Sequence, residues 1–338
     1  MNGNGLLRYV IAGQLRRDYI ITPGGMAYND IMGGNLLYAA CGLAQWDSGI
    51  GLQARIGEDY PQPWIDYFVT RGFDCRGITI IPKMVDLRSF FAYPNIATPM
   101  RDNPVSHYSR LTLPFPKSLL GYSLPVNSTV SPILPADITF RVNELPDEYR
   151  DATAAHICPM DIANQMLLAS ILHQGHTAIL TLEPSETCMN AAFWGDIKLL
   201  VKGLTAFIVS EDDLRTLFIG RSRDLWQMAE TIADFGCEIV VIRREHTEQY
   251  IYDHPGHRRW ILPVYPARVS DPTGSGDAFG GGFLAGYKAS YDPLEAAIHG
   301  NISASIAVEG TGPFYALDAM PGLAQARRSS LREMARCA

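Results

Sequence analysis

The chain has 338 residues, of which 47% are hydrophobic and 19% are charged, a composition typical of a protein with a sizeable buried core. Its formal net charge of −7 argues against nucleic acid as a partner. The sequence contains no run of 18 or more apolar residues, so no membrane span is expected. The N-terminal residues lack the basic start and apolar core of a signal peptide.

Hydrophobic periodicity predicts an alternation of strands and helices in the first part of the chain. Strands are expected at 6–13, 51–56, 78–81 and 88–93, and helices at 33–45 and 64–71. Residues 94–135 differ, because they contain eight prolines. We expect that stretch to be irregular.

From residue 154 onward the alternation of strands and helices resumes. The predicted strands are 155–158, 178–182, 206–209, 238–243 and 259–264, and the predicted helices are 161–173, 187–200, 223–235, 276–289, 293–309 and 318–336. Strands separated by helices of this length predict βαβ units and a mainly parallel sheet. Binding residues are then expected at the carboxyl ends of the strands.

The cysteines and histidines indicate no structural metal. Six cysteines are scattered without a Cys-x-x-Cys pair, which favours a reduced, cytoplasmic compartment. His173 and His176, like His254 and His257, have the spacing of metal ligands. No cysteine or carboxylate cluster completes either pair, so we predict no zinc site there.

Residues 271–287 are the most informative stretch of the sequence. A turn of small residues, Thr273 to Gly276, leads through Asp277 into an apolar, helix-like pattern. The first N–H groups of a helix and the positive end of its dipole suit an anion such as a phosphate. Asp277 would then lie within reach of a group that attacks the phosphate. The alternative is that Asp277 simply caps the helix.

This stretch closely resembles the C-terminal signature of the ribokinase-like sugar kinases, the pfkB family, which reads Asp-Thr-x-Gly-Ala/Ser-Gly-Asp-x-Phe. The matching residues are Asp271, Thr273, Gly274, Ser275, Gly276, Asp277 and Phe279. The resemblance implies a catalytic base at Asp277 and an anion hole formed by Gly274, Ser275 and Gly276.

The resemblance also implies the fold. We expect one ribokinase-like α/β domain over residues 1–338, with three layers, a mainly parallel central sheet and a small β-rich lid. The lid segments would be about 14–32 and 78–125, and the proline-rich stretch at 94–135 would be an insertion. Relatives often dimerise through this lid, so a homodimer is expected as well.

Five residues are implied to bind the acceptor: Asp18, Gly33, Gly34, Asn35 and Arg88. A carboxylate suits a vicinal diol, and two glycines before a helix let a substrate approach bare backbone. Each has an alternative. Asp18 is also explained as a surface residue beside two arginines, Asn35 as part of a loop–helix junction, and Arg88 as a solvated charge on an edge strand.

Five further residues are implied to lie at the nucleotide: Arg243, Glu245, Thr273, Asn301 and Gly310. Arg243-Arg244-Glu245 stands where the family has Thr-Leu-Gly, so an arginine would supply the phosphate contact. Asn301 and Gly310 would border the adenine, although the neighbours of Asn301 also indicate core packing. Asp213 would hold water around Mg²⁺, or cap a helix with Ser210. Asp271 would help to form a site for a monovalent cation such as K⁺.

The predicted function is therefore phosphoryl transfer from ATP, with Mg²⁺, to a hydroxymethyl group of a sugar, nucleoside or related polyol. The alternative is a non-catalytic relative that keeps the fold and binds a ligand, because the segments at 210–213 and 243–245 depart from the family pattern. An NAD-dependent oxidoreductase would need Gly-x-Gly-x-x-Gly after the first strand, and the chain has Gly13-Gln14-Leu15 there.

Overall fold

The computed structural model describes residues 7–123, 140–244 and 247–338, which form three layers with a large sheet in the middle. The strands are β1 (Tyr9–Ala12), β2 (Arg16–Ile21), β3 (Ala27–Gly33), β4 (Ile50–Gly57), β5 (Ile78–Ile81), β6 (Arg88–Ala92), β7 (Ala154–Ile157), β8 (Ile179–Leu182), β9 (Ala206–Ser210), β10 (Ile239–Arg244), β11 (Glu248–Asp253), β12 (Arg258–Pro263) and β13 (Arg336–Cys337).

The helices are α1 (Asn35–Ala44), α2 (Gln62–Thr70), α3 (Pro104–Arg110), α4 (Asp147–Arg150), α5 (Ile162–Gln174), α6 (Trp194–Leu200), α7 (Glu211–Leu217), α8 (Leu225–Asp234), α9 (Ser275–Ser290), α10 (Pro293–Ala307) and α11 (Leu323–Arg332). The large sheet has the order β13-β12-β11-β10-β9-β8-β7-β1-β4-β5. Seven consecutive strands, from β10 to β5, pair in parallel, and β11, β12 and β13 continue the sheet in antiparallel fashion.

The large sheet is buried on both faces, as a parallel sheet between helices must be. In β1, Tyr9 and Ile11 pack into the core beside α1 and α2, whereas Val10 and Ala12 pack into the core beside α5 and α6. Helices α9 and α10 cover the first face further along, against β9 to β12. The predicted three-layer, mainly parallel α/β fold is confirmed.

A separate small sheet has the order β3-β2-β6. Its two faces differ because side chains alternate along a strand. Tyr19 and Phe90 lie on the face covered by residues 108–122, where they form an apolar cluster with Tyr108 and Leu119. Asp18, one residue from Tyr19, therefore belongs to the opposite face.

Several sequence-based boundaries need correction. We assigned residues 78–81 to a lid segment, but β5 pairs with β4 in the large sheet. The predicted helix at 187–200 is reduced to α6, because Asn190 accepts a hydrogen bond from the N–H of Ala192 and starts a separate 3-10 turn. The helix predicted at 318–336 shortens to α11, and β13 follows it.

The proline-rich stretch is more regular than expected. It contains α3, in which Pro104 occupies the first turn, where no N–H is needed, and Asn103 caps the helix by accepting from Ser106 N–H. Residues 124–135 of the stretch lie outside the described residues, as does Glu245. Of the helices that the structure does describe, none is both long and apolar enough to span a membrane.

Candidate functional site

The carboxyl ends of β8, β9 and β10 lie beside the N-terminus of α9, and the small sheet adds Asp18. The residue directly after β8 is Glu183, and Arg243 is the penultimate residue of β10. Residues that are far apart in the sequence thus meet where the topology of a parallel sheet places binding sites.

The turn before α9 is shaped by glycine. Gly274 is the N-cap of the helix with φ of 73°, in the left-handed region, and a side chain there would also collide with the ring of Tyr38. Asp277 is the third residue of the helix, so the capping alternative for it is wrong. The N–H of Ser275 donates to the carbonyl of Pro272 (3.3 Å) and that of Ala278 to the carbonyl of Gly274 (2.9 Å), which leaves the N–H groups of Gly276 and Asp277 to face an anion.

Asp277 is half-buried and lies among four charged side chains. Burial, followed by the carboxylate of Glu183, raises the pKa of Asp277 above its ordinary value, and the charge of Asp18 adds to this effect. The cations of Arg243 and Arg101 oppose the rise. A carboxyl group with a raised pKa is a stronger proton acceptor once it is ionised, as a general base requires.

Arg243 points into the space in front of α9. Its Nη2 donates to Oε1 of Glu183, and its guanidinium lies so close to Gly276 that any side chain at that position would overlap it. The neighbouring Arg244 instead pairs with Glu211 and Glu248, at 2.6 Å in both cases. Of the two arginines at the end of β10, only Arg243 therefore lies in the site.

Asp18 is 1% exposed and carries an oxygen without a partner. The N–H of Gly34 lies 3.4 Å from Oδ2, and the carboxyl group lies directly against Gly33. Oδ1 accepts no hydrogen bond from any residue that the structure describes. Burial raises the pKa of Asp18 to about 7, and the N–H of Gly34 and the charge of Arg16 only partly offset this.

Two tyrosine hydroxyls near Asp18 are also buried, and within the described ranges neither has a hydrogen-bond partner. They belong to Tyr38 on α1 and to Tyr60 in the turn before α2. Burial, and then the charge of Asp18, raises the pKa of each hydroxyl. We call Asp18, Tyr38 and Tyr60 the Asp18 cluster. Because buried polar groups normally find partners, this cluster is suited to the hydroxyls of a bound ligand.

The side chain of Asn35 already holds two segments of the chain. Its Oδ1 accepts from the N–H of Gln14 (2.7 Å), and its Nδ2 donates to the carbonyl of Pro159 (2.6 Å). The loop–helix junction that we considered as the alternative is therefore what the structure shows. Asn35 supports Gly33 and Gly34 beside Asp18 rather than presenting a free amide.

Asp271 holds Thr273, and Thr273 links the turn before α9 to the segment after β6. Its Oδ1 accepts from the N–H of Thr273 (3.0 Å), and Oγ1 of Thr273 donates to the hydroxyl of Tyr93 (3.0 Å), which follows β6. Oδ2 of Asp271 is buried and has no partner in the described part of the chain. Burial raises the pKa of this carboxyl group despite the hydrogen bonds from Thr273 and Thr311.

Asp213 and Ser210 form a helix cap. Oγ of Ser210 accepts from the N–H of Asp213 (3.1 Å) and donates to its Oδ2 (2.7 Å), as the capping alternative required. Burial raises the pKa of Asp213, and the charge of Glu186 contributes. One oxygen of this carboxylate is therefore engaged in the cap.

Asn301 and Gly310 are held by protein groups. Oδ1 of Asn301 accepts from the N–H of Tyr265 (2.9 Å), and its Nδ2 donates to Gln249 (2.7 Å) and to the carbonyl of Pro263 (2.9 Å). That Asn301 borders the adenine stays a prediction; its side chain is 2% exposed and fixes the loop after β12, in keeping with the packing alternative. Gly310 packs directly against the ring of Tyr315.

The structure does not bring Arg88 to the site. Arg88 pairs in register with Arg17, so it shares the face of the small sheet opposite to Asp18. It donates to Asp86 (2.7 and 2.8 Å) and to the carbonyls of Ser118 and Leu120. The substrate-binding prediction for Arg88 is wrong, because a strand's register cannot be read from one strand alone.

Sequence reasoning missed Arg101 and Glu183. Arg101 follows the small sheet, lies 5.5 Å from the ring centroid of Phe91, and pairs with Glu186 after β8 (3.1 Å). Its surroundings in the sequence gave no signal. Glu183 directly follows a predicted strand, and the expectation of binding residues at carboxyl ends was sufficient to find it.

Comparison with known proteins agrees with this arrangement. The family model described as pfkB family carbohydrate kinase matches residues 151–320, half of the chain. A cytidine kinase from Thermococcus kodakarensis is 26% identical over 294 residues, which cover 86% of this chain and 91% of that protein.

Solved structures show the same fold. A candidate ribokinase II from E. coli in complex with ATP and Mg²⁺ superposes with a TM-score of 0.71 at 14% identity, covering 96% of this chain and 100% of that one. A nucleoside kinase from Burkholderia thailandensis in complex with inosine gives a TM-score of 0.67 at 17% identity, with 96% and 98% covered. With half of its length matched by the family model, the chain belongs to the pfkB family of carbohydrate kinases, phosphotransferases that act on an alcohol group.

Proposed function

We propose that this protein transfers the terminal phosphoryl group of ATP to a hydroxymethyl group of a ribonucleoside or a related sugar, with Asp277 as the general base. The observation that carries the proposal is the position of Asp277 in the first turn of α9, near enough to the buried carboxyl group of Asp18 for that charge to act on it.

The acceptor would bind at the Asp18 cluster. A carboxylate accepts two hydrogen bonds from a vicinal diol, and the hydroxyls of Tyr38 and Tyr60 supply donors beside it. Gly33 and Gly34 keep the adjacent wall free of side chains. A ribonucleoside offers this diol together with a 5′-hydroxymethyl group, and the relative from Thermococcus kodakarensis is described as a cytidine kinase.

The phosphate groups would lie at the N-terminus of α9. The N–H groups of the first turn and the guanidinium of Arg243 fit an anion there, and the missing side chain of Gly276 lets this guanidinium lie against the helix N-terminus. Asp277 accepts the proton of the attacking hydroxyl as the new P–O bond forms, because a free hydroxyl is too weak an acid to ionise near pH 7. The N–H groups then stabilise negative charge on the phosphoryl oxygens.

The protein offers fewer ligands to Mg²⁺ and to a monovalent cation than to the phosphate groups. Mg²⁺, which would enter with ATP, would neutralise charge on the phosphate groups, and one carboxylate oxygen of Asp213 would hold its water shell. The unpartnered Oδ2 of Asp271 fits a monovalent cation, and Thr273 and Gly310 would border the nucleotide. Glu245, the remaining predicted contact, lies outside the described residues.

The small sheet would act as the lid that excludes water during transfer. Hydrogen bonds from Thr273 to Tyr93 and from Arg101 to Glu186 already join the two sheets. At the edge of this sheet, Tyr28 of β3 is 36% exposed and Met26, which precedes the strand, is 61% exposed, which is consistent with a dimer formed through this sheet. Light scattering of the purified protein would test the dimer.

The test is acceptor-dependent ADP formation from ATP and Mg²⁺, measured against a panel of cytidine, inosine, adenosine, ribose and fructose. We expect turnover with at least one ribonucleoside, and a loss of roughly 10³-fold in kcat for Asp277→Asn with ATP affinity preserved. Turnover that survives this substitution would remove Asp277 as the base. No turnover together with no ATP binding by calorimetry would favour a non-catalytic member of the family.

A further inference from the structure

The ion pair between Glu183 and Arg243 occupies the place at which the phosphates are proposed to bind. The two residues come from the carboxyl ends of β8 and β10, with β9 between them. Glu183 lies outside the strand in the loop that follows it, and Arg243 reaches back across β9 to meet it. The guanidinium lies against Gly276 and 6.0 Å from the ring centroid of Phe279, at the mouth of α9.

The hydrogen bonding of this pair is incomplete. The side chains of Glu183 and Arg243 are only 10% and 18% exposed. Nevertheless Oε2 of Glu183 and Nε of Arg243 are buried, and neither has a partner among the residues that the structure describes. A buried ion pair is stable only when its remaining donors and acceptors are also satisfied. The unused Nε–H of an arginine that faces a helix N-terminus is therefore placed for an incoming anion.

Arg244 shows what a purely structural arginine looks like on the same strand. It binds Glu211 through Nε and Glu248 through Nη1, both at 2.6 Å, and its guanidinium lies 5.2 Å from the ring centroid of Tyr250. Its Nε–H is therefore used within the protein, in contrast to that of Arg243. The two consecutive arginines form a matched pair for comparison.

We propose that Glu183 is the internal counterion of the phosphate site: it holds Arg243 at the N-terminus of α9 while no nucleotide is bound, and it yields this arginine to the nucleotide's phosphate groups. The inference rests on the proposed function and adds a positioning residue to it. A phosphate carries more charge than one carboxylate and presents several oxygens, so it can engage Nε and Nη2 of Arg243 together.

The carboxylate of Glu183 then remains beside Asp277 after Arg243 has turned to the phosphate. Its negative charge raises the pKa of Asp277, while the positive charge of Arg243 lowers it. Asp18, which also raises this pKa, and Arg101, which lowers it, stay in place on the side of the small sheet.

The test compares nucleotide affinity in four variants of the full chain: Glu183→Gln, Arg243→Gln, Glu211→Gln and Arg244→Gln. Calorimetry with ADP and with a non-hydrolysable ATP analogue plus Mg²⁺ gives the affinities, and thermal unfolding checks that each variant folds. Glu183→Gln removes the competing charge, so we expect binding to tighten by about fivefold, whereas Arg243→Gln should weaken it at least about tenfold. The control pair should change affinity less than about twofold.

The opposite directions of the two affinity changes decide the question. In a purely structural ion pair, either substitution removes the same contact, so both would change the affinity in the same direction. Weaker binding in both variants would overturn the proposal, and so would an unchanged affinity in Arg243→Gln or no binding of ADP by the wild type. In turnover, Glu183→Gln should lower KM for ATP. Failure of every acceptor with the expected affinities intact would contradict the proposed function and leave the counterion role standing.

Discussion

The two halves of the site treat charge in opposite ways. At the Asp18 cluster a buried carboxyl group lies among uncharged hydroxyls, and its Oδ1 accepts no hydrogen bond from the described residues. Around α9 the carboxyl groups of Glu183 and Asp277 lie beside the arginines Arg243 and Arg101. A neutral polyol is recognised by unsatisfied acceptors and donors. A phosphate is recognised by cations, and these need an internal counterion while no phosphate is bound.

Among the variants that separate the two halves of the site, Asp18→Asn is expected to have the largest effect on activity. The variant loses charged hydrogen bonds to the acceptor, so kcat/KM should fall about 100-fold, mainly through KM for the acceptor. ATP affinity should remain within about threefold of the wild type, because the phosphate half is unchanged. An equal loss of acceptor and ATP affinity would show that the two halves are one coupled unit.

The same variant should be more stable than the wild type above neutral pH. Burial raises the pKa of Asp18 from 3.8 to about 7, so the native state holds this proton more tightly than the unfolded state. Ionisation therefore removes stability as the pH rises from about 4 to about 7. We expect Asp18→Asn to raise the free energy of unfolding by about 2 kcal/mol at pH 8, and by less at pH 5. Denaturant unfolding at both values measures the difference, and a gain of equal size at both would contradict this origin.

The pH profile tests the phosphate half. Because the pKa of Asp277 is raised, the base stays protonated further toward neutral pH than an ordinary aspartate. The rate should therefore fall as the pH drops below neutral, by about tenfold for each unit below the pKa of the base. Measurement of kcat/KM from pH 5 to 9 would show this limb. A flat profile down to pH 5 would mean that Asp277 keeps its ordinary pKa.

A smaller effect is expected from Tyr38→Phe, which removes one neutral hydroxyl from the Asp18 cluster. The KM for the acceptor should rise by roughly fivefold, the worth of a neutral hydrogen bond. This rise should vanish for an analogue that lacks the contacted hydroxyl, so cytidine is compared with its 2′-deoxy and 3′-deoxy forms. Tyr149→Phe is the matched control, since its hydroxyl binds Asp74 and Gly77 on the far side of the sheet. Equal increases for all three acceptors would assign Tyr38 to packing alone.

The smallest effect separates two arginines of the proposed lid. Arg101 lies near Asp277, whereas Arg88 faces the opposite side of the small sheet. We expect Arg101→Gln to lower kcat about threefold through the lost charge near the base, and Arg88→Gln to change it less than about twofold. Steady-state kinetics at saturating ATP makes the comparison. A larger loss in Arg88→Gln would mean that the outer face of the sheet controls the site.

What could be predicted from the sequence was the local part of the site. The turn before α9 was readable because Gly274, Gly276 and Asp277 are neighbours in the chain and their spacing carries the chemistry. The alternating strands and helices gave the fold for the same reason. Pairings across the molecule were not readable. Nothing near Tyr38 shows that its ring packs against Gly274, and nothing near Arg243 shows that it meets Glu183.

Where predictions failed, a second strand or loop had decided the outcome. Arg88 was placed at the substrate on the basis of its own strand, but the register with β2 turned it to the other face. The position of Asn301 at the adenine stays a prediction, but the sequence could not show that Gln249 and the loop after β12 hold its amide. For Ser210 and Asp213, the local spacing was compatible both with a helix cap and with a role at Mg²⁺, and it could not decide between them.

The burial of Asp18 has a consequence for the order of events in turnover. A carboxyl group with 1% exposure cannot meet a dissolved sugar unless the wall over it moves. The hydrogen bond between Thr273 and Tyr93 and the pair formed by Arg101 and Glu186 tie that wall down. In the proposed function, the acceptor would enter and its phosphorylated product would leave while these two contacts are open. Opening of these contacts is thus a step of turnover that is separate from the chemical step at Asp277.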